Sequence, residues 1–346
     1  MTKTLATPTS QPDQRLAEST GGLVPGLMLC VAGTGLAVGV SRLIPAVSPL
    51  LVGILLGAIA ANVYSIPTRM RPGIAFSAKR LLRLGVALLG LQLVFGDIVG
   101  LGWGMIAVVI AIVGLGVAGT MYVGRLLGLG WHQRVLIACG FSICGAAAIA
   151  ATDGVVDAKE EEVATSVALV VVFGTLMIPL IPLTSHALGL SETAAGMWAG
   201  GAIHEVAQVV AAGGAIGPTA LSVAVVVKLA RVLLLAPMMA VMALRQRRQL
   251  AARPDAQLTR PPLVPLFVIG FIGLMLLRST SVLPDQVIAV GKVVQTVLLT
   301  ASMFALGLGV RIAAMRSVGI GPVILATLST VWVSGIALAG VLIVGH

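Results

Sequence analysis

The run Cys139-Gly140-Phe141-Ser142-Ile143-Cys144-Gly145-Ala146-Ala147-Ala148-Ile149 is apolar enough to lie at membrane depth, yet glycines break it and it carries a hydroxyl and two thiols. Further along, Gly200-Gly201-Ala202-Ile203-His204-Glu205-Val206-Ala207-Gln208 has the same character. Helices at membrane depth carry breaks and ionisable groups where something polar must visit them. The two runs therefore read as the walls of one transport site, and everything around them reads as membrane.

Of 346 residues, 58% are hydrophobic and 10% charged, whereas a soluble domain carries roughly a quarter charged residues. Apolar runs of the length that crosses about 30 Å of hydrocarbon recur from Leu23 to the C-terminus. The expected fold is an all-α polytopic membrane protein, with a polar, disordered tail over residues 1–22 and a single integral membrane domain over 23–346. The net charge of +10 does not point to nucleic acid. The basic residues gather in a few connectors, as in cytoplasmic loops of membrane proteins. Cys30, Cys139 and Cys144 all lie in apolar stretches and lack the spacing of a disulfide framework or a redox or zinc site.

Ten or eleven membrane segments are legible. Leu23 to Ile44, Val47 to Tyr64, Leu81 to Phe95 and Ile98 to Val123 precede the first special segment, Trp131 to Thr152. Val163 to Leu183 separates it from the second, Thr193 to Gly214, and Pro179 and Pro182 are expected to end or kink that intervening span. Thr219 to Leu244, Leu263 to Leu283, Gln286 to Val310 and Ile320 to Val344 complete the set. Basic connectors hold Arg69, Arg71, Lys79, Arg80 and Arg83, then Arg125 and Arg134, then Arg245, Arg247, Arg248, Arg253 and Arg260, then Arg311 and Arg316. Charge counting places these inside, with the N-terminus cytoplasmic and the C-terminus periplasmic. The acidic connector from Asp153 to Glu162 mildly supports an outer position there. Charge does not decide whether the two special segments cross the membrane or re-enter.

Two self-similarities suggest inverted repeats, the common plan of secondary transporters. The approach to Cys139-Gly140 resembles the approach to Gly200-Gly201, and Leu81 to Val123 resembles Val293 to Val344.

In the first special segment Gly140 and Gly145 loosen the helix, and Ser142 and Cys144 lie at the break. Unwinding there would leave a half-helix N-terminus facing a cavity, a ready anion site. Close packing of small residues explains the glycines equally well. In the second segment, helical spacing puts His204 and Gln208 on one face and Glu205 about 100° away. A carboxylate at that depth costs roughly 3 kcal/mol on insertion scales, so it must be paired, protonated or wetted; an ion pair with Lys228 is the structural alternative. Lys228 and Arg231 share a helix face three residues apart. Two cations against one carboxylate suit an anionic substrate. His204-Glu205 begins a metalloprotease-like pattern, but position 208 is Gln where a second metal-binding His is required. Neither enzyme activity, nor a metal, nor a cofactor is expected.

Four runs carry a resemblance: Gly140 to Ile149, Glu160-Glu161-Glu162-Val163-Ala164, Ile203-His204-Glu205-Val206-Ala207-Gln208-Val209, and Lys228-Leu229-Ala230-Arg231-Val232-Leu233-Leu234-Leu235-Ala236-Pro237. Together they are similar to the YeiH family (UPF0324-type) of bacterial inner-membrane proteins, described as sulfate exporters. The resemblance implies a multi-pass secondary transporter exporting a small inorganic or sulfur-containing anion such as sulfate, driven by an ion or proton gradient. In that reading Gly140, Ser142, Cys144, Gly145, Lys228 and Arg231 bind the anion, while His204, Glu205 and Gln208 couple it to the gradient. Partners are the anion and membrane lipid, and a homo-oligomer is compatible with the sequence. The competing readings are a cation/proton antiporter, for which Glu205 alone supplies acid, and a non-transporting receptor or assembly subunit.

Overall fold

The computed structural model describes residues 12–44, 47–251, 265–310 and 319–344. Every regular element among these is helical. The first helix, α1 (Pro12–Leu43), begins inside the stretch read as a polar tail; residues 1–11 lie outside the described residues, as do Arg253, Arg260, Arg311 and Arg316.

After α1 come α2 (Pro49–Val63) and a composite run, α3 (71–92), in which a π-helical stretch at Ser77–Leu81 interrupts the α-helix and a 3-10 turn at Leu89–Gln92 closes it. Lys79, Arg80 and Arg83, expected in a connector, are therefore helical. A short α4 (Phe95–Gly100) leads into α5 (Gly102–Leu126). The first special segment folds as α6 (Trp131–Cys139), a π-helical turn (Gly140–Cys144) and α7 (Ala146–Val156). Next is α8 (Glu160–Ala187), which continues through Pro179 and Pro182 instead of ending there. The second special segment is α9 (Glu192–Ala202) and α10 (Val206–Ile216). Then follow α11 (Pro218–Leu233), α12 (Leu235–Ala251), α13 (Leu266–Ser279), α14 (Asp285–Gly307) and α15 (Gly321–Val344).

Among the described residues six helical spans are long and apolar enough to cross a membrane: residues 23–43 of α1, α5, α8, the α11–α12 run to Gln246, α14 and α15. In lipid no hydrophobic force draws helices together, so close packing through small residues must hold them. Gly57 of α2 and Gly307 of α14 show this: a Cβ on Gly57 would sit 3.0 Å from the Gly307 Cα and 2.2 Å from the Phe304 carbonyl oxygen. Such contacts also fix direction. Gly53 meets Thr300 and Gly57 meets Gly307, so α2 and α14 run parallel; Gly104 meets Val344 and Gly116 meets Val333, so α5 and α15 run antiparallel.

Both special segments are re-entrant hairpins. Gln133, one turn into α6, donates to the Ser166 hydroxyl near the start of α8 at 2.9 Å. The two ends of the hairpin thus lie at one face. Its limbs touch: Cys139 lies beside Thr152, and a Cβ on Gly140 would meet Ile149 Cγ1 at 2.7 Å. In the second hairpin the Thr219 N–H donates to the Glu192 carboxylate at 3.2 Å, closing its mouth at the opposite face. The turns leading into the hairpins match: Gly128 (φ 71°) follows α5 and Gly189 (φ 65°) follows α8.

Re-entry corrects the reading of the acidic connector. It lies on the same face as the connector that holds Arg125 and Arg134, where Gly130 stands beside Glu162, and Lys79 Nζ of α3 pairs with Asp153 of α7 at 3.2 Å. The eleven segments read from sequence are all present as helices or hairpins, but two of them turn back.

The helices form two bundles. One holds α5, both hairpins, α8, α11 and α15, with the hairpin tips at its centre; the other holds α1, α2, α3, α13 and α14.

Candidate functional site

The tips of the two hairpins, entering from opposite faces, meet in the middle of the first bundle. The chain reverses in the first tip at Gly145, with φ 74° and ψ −135°. That conformation excludes an ordinary L side chain. The other tip also leaves no room, because a Cβ at Gly145 would lie 2.4 Å from Cγ of Glu205. In the second tip the helix stops at Ala202 and resumes at Val206, with Ile203 and Glu205 extended (ψ 145° and 151°). This break overturns one expectation. His204 and Gln208 do not share a helical face, because the intervening backbone is not helical.

Each tip exposes the carbonyl end of its incoming limb, and a helix C-terminus carries about half a negative charge. Both ends converge on α11. Arg231 Nε donates to the Ser142 carbonyl at 3.1 Å and one terminal nitrogen to that of Phe141 at 3.0 Å. The other terminal nitrogen reaches the carbonyls of Gly200, Gly201 and Ile203 at 3.0, 2.7 and 3.1 Å. Lys228 Nζ bridges the carbonyls of Ile143 and Ile203, both at 2.9 Å. Both side chains are fully buried. A guanidinium offers five N–H donors in a fixed fork, which suits carbonyls from two separate chain segments. The two cations therefore tie one tip to the other and neutralise two helix ends.

Glu205, Gln208 and His204 are committed as well. The Ala146 N–H, at the start of α7, donates to Glu205 Oε1 at 2.9 Å. Glu205 also donates its own N–H to Gln208 Oε1 at 3.2 Å, and the Gln208 amide donates to the Val171 carbonyl at 3.2 Å, anchoring the second tip to α8. His204 Nδ1 is 3.2 Å from the Phe141 carbonyl, so Nδ1 must carry a proton; its Nε2 lies 3.1 Å from the Thr330 hydroxyl of α15. The imidazole and the Phe141 ring are 4.5 Å apart. The ion pair considered for Glu205 and Lys228 is not formed: Lys79–Asp153 is the ion pair found among the described residues.

A cavity of about 30 Å³ lies where the tips face the second bundle. Leu50, Leu82, Val86, Leu89, Leu299 and Met303 form its outer wall, and Cys144, Ala147, Glu205, Val206, Ala207 and Val232 its inner one. Since a water needs roughly 10–15 Å³ on this measure, the cavity has room for about two. The N-termini of α7 and α10 are at this cavity, while the carbonyl ends lie behind them, held by Lys228 and Arg231.

The structure thus brings Gly140, Ser142, Cys144, Gly145, His204, Glu205, Gln208, Lys228 and Arg231 around a single crossing. Ser142 enters through its carbonyl, for its hydroxyl points at Gly116 of α5 and has no partner. Gly140 serves limb-to-limb packing. Thr330, the Phe141 carbonyl and the apolar outer wall were not singled out from sequence; Thr330 is one hydroxyl among several in the last span, and backbone carbonyls leave no mark in residue type.

The family model described as Conserved hypothetical protein 698 matches residues 25–326. A UPF0324 membrane protein of Corynebacterium glutamicum is 57% identical over 319 residues, 92% of each chain. UPF0324 membrane proteins of Pseudomonas aeruginosa and Bartonella henselae are 37% and 34% identical, over 90% of this chain and 91% and 90% of theirs. No solved structure matches. With a family model spanning most of its length and relatives covered nearly end to end, this chain belongs to the UPF0324 family of membrane proteins.

Proposed function

We propose that the protein is a secondary active transporter of a small anion, carried at the paired N-termini of α7 and α10. One observation carries this reading. Of the four half-helix ends at the crossing, the two carbonyl ends are occupied by Lys228 and Arg231, while the two N–H ends lie at the cavity. In discontinuous-helix transporters, carbonyl ends coordinate a cation and N-terminal ends receive the anionic part of a substrate. Here fixed side chains stand where a mobile cation would bind, which leaves the anion half of the site.

The same point weakens the cation-antiporter reading, since the cation positions are filled by the protein. Two hairpin–span units of opposite direction are what an inverted repeat produces, and they support alternating access between the two bundles. Among the described residues the basic connectors around Arg69, Arg71, Arg125 and Arg134 lie on the face where α1 begins, so the positive-inside rule puts that face on the cytoplasmic side of a bacterial inner membrane. Within the anion class, sulfate and related sulfur oxyanions come first, on the family resemblance. Export is the direction which that resemblance suggests.

The direct test is reconstitution. Purified protein in liposomes is offered radiolabelled sulfate, sulfite and thiosulfate under imposed pH and sodium gradients. Gradient-dependent movement of at least one is expected; none moving under any gradient removes the proposal.

A further inference from the structure

Glu205 is the one acidic side chain at the crossing, and it is only 8% exposed. Its neighbours do not neutralise it by direct contact. Arg231 and Lys228 spend their hydrogen bonds on carbonyls. What holds its Oε1 is the Ala146 N–H, the first N–H of α7, at 2.9 Å. That carboxylate comes from the opposite hairpin and borders the cavity together with Ala147, Val206 and Ala207. A carboxyl group of the protein therefore already sits where the preceding reading places an anionic solute.

We infer that Glu205 is an internal ligand that the transported anion must displace, and that displacement requires one proton. The inference rests on the anion-transport reading. An arriving oxyanion takes the Ala146 N–H, and the carboxylate turns into the cavity. There it meets Leu50, Leu82, Val86, Leu89, Leu299 and Met303, none of which ionises or donates a hydrogen bond. The titratable groups facing Glu205 from the inner side are Lys228 and Cys144, with His204 next to it in the chain and Arg231 one turn from Lys228. Lys228 is held by two carbonyls and does not follow the carboxylate. A free carboxylate in apolar surroundings is strongly disfavoured, so the displaced group binds a proton from solution.

Balance then sets the direction. The empty carrier holds ionised Glu205; the loaded carrier holds the anion and a neutral Glu205. Anion and proton cross together. With protons entering the cell, the proton gradient drives uptake, and export proceeds only where the outward anion gradient exceeds it. The sign of the pH effect follows: above the titration of Glu205, each unit rise in pH weakens anion binding about tenfold, one proton being taken up per anion bound.

The experiment uses full-length protein in liposomes with radiolabelled sulfate and an internal pH dye. If sulfate proves not to be carried, whichever of sulfite or thiosulfate moves takes its place. Acidifying the outside is expected to accelerate uptake by up to tenfold per unit, with one proton entering per anion. Glu205→Gln, which keeps the shape and the Gln208 contact, is expected to bind the anion more tightly at high pH and to lose the stimulation. Uptake accelerated by the reverse gradient, or accompanied by no proton, overturns the inference while leaving anion transport standing. If no anion moves at all, the underlying functional reading falls. Should Glu205→Gln fail to fold, the proton-to-anion ratio of the unmodified protein decides alone.

Discussion

Replacing Arg231 by Met separates two roles for this residue. The change keeps an unbranched apolar stem but removes all five donors that hold the Phe141, Ser142, Gly200, Gly201 and Ile203 carbonyls. Hydrogen bonds to a charged donor contribute about 1.5–3 kcal/mol each, and a buried acceptor left bare costs about 1–3 kcal/mol. Five such losses sum to about 7–15 kcal/mol before any relaxation. Water entering from the adjacent cavity and relaxation of the tips recover part of this, so we expect a net loss of about 4–5 kcal/mol. For a chain of this size, with roughly 2 °C per kcal/mol or a little less, the midpoint of unfolding should fall by about 6–10 °C in the absence of any anion. A thiol-reactive dye reports this directly, because Cys30, Cys139 and Cys144 are all buried in the fold and become reactive on unfolding. Arg231→Lys should fall between the two, since an ammonium has three donors and cannot span both tips in one plane. If Arg231 were instead a free anion ligand, the anion-free variant would unfold within about 2 °C of the parent and lose only anion-induced stabilisation. That outcome would refute its assignment as the tie between hairpins.

Gly145→Ala should cost at least about 2 kcal/mol from its left-handed backbone alone; with the Glu205 Cγ 2.4 Å from the new Cβ, transport in liposomes should vanish even where the protein still purifies. Single cysteines at Glu161 and Glu192, in a background lacking the native three, should react with a membrane-impermeant maleimide from opposite sides, and a cysteine at Arg69 should label with Glu161; labelling of Arg69 with Glu192 instead would exclude the re-entrant first hairpin. Removing the Lys79–Asp153 pair should change stability by no more than about 1 kcal/mol because Lys79 is exposed, and a double-mutant cycle at low and high salt would show a coupling that shrinks with salt.

Much of this architecture is legible in the residues themselves. Hydropathy marks the spans, and the glycines of Cys139 to Ile149 mark a break that the structure places at Gly145. What composition does not encode is whether a broken apolar segment continues or turns back. The run from Trp131 to Val156 is long enough for either, and the decision lies in one φ angle and in Gln133 reaching Ser166. The acidic connector misled for the same reason: Asp153 faces Lys79 because the hairpin returns. Helical counting puts His204 and Gln208 on one face, but the chain is not helical between Ala202 and Val206. Lys228 and Arg231 announce their charge in the sequence but not their partners, which are backbone carbonyls from segments up to 90 residues away.

The outer wall of the cavity has one further consequence. Its six side chains are Leu, Val and Met, which grip by dispersion and shape and not by directional bonds. The inner side is the reverse, a knot of hydrogen bonds in which Arg231 and Lys228 each hold both hairpins, and His204 and Glu205 add direct links from one tip to the other. Load applied between the bundles therefore meets a lubricated seam beside a welded one. A displacement of one bundle against the other would run along the seam, with the two tips held together as a single solid piece.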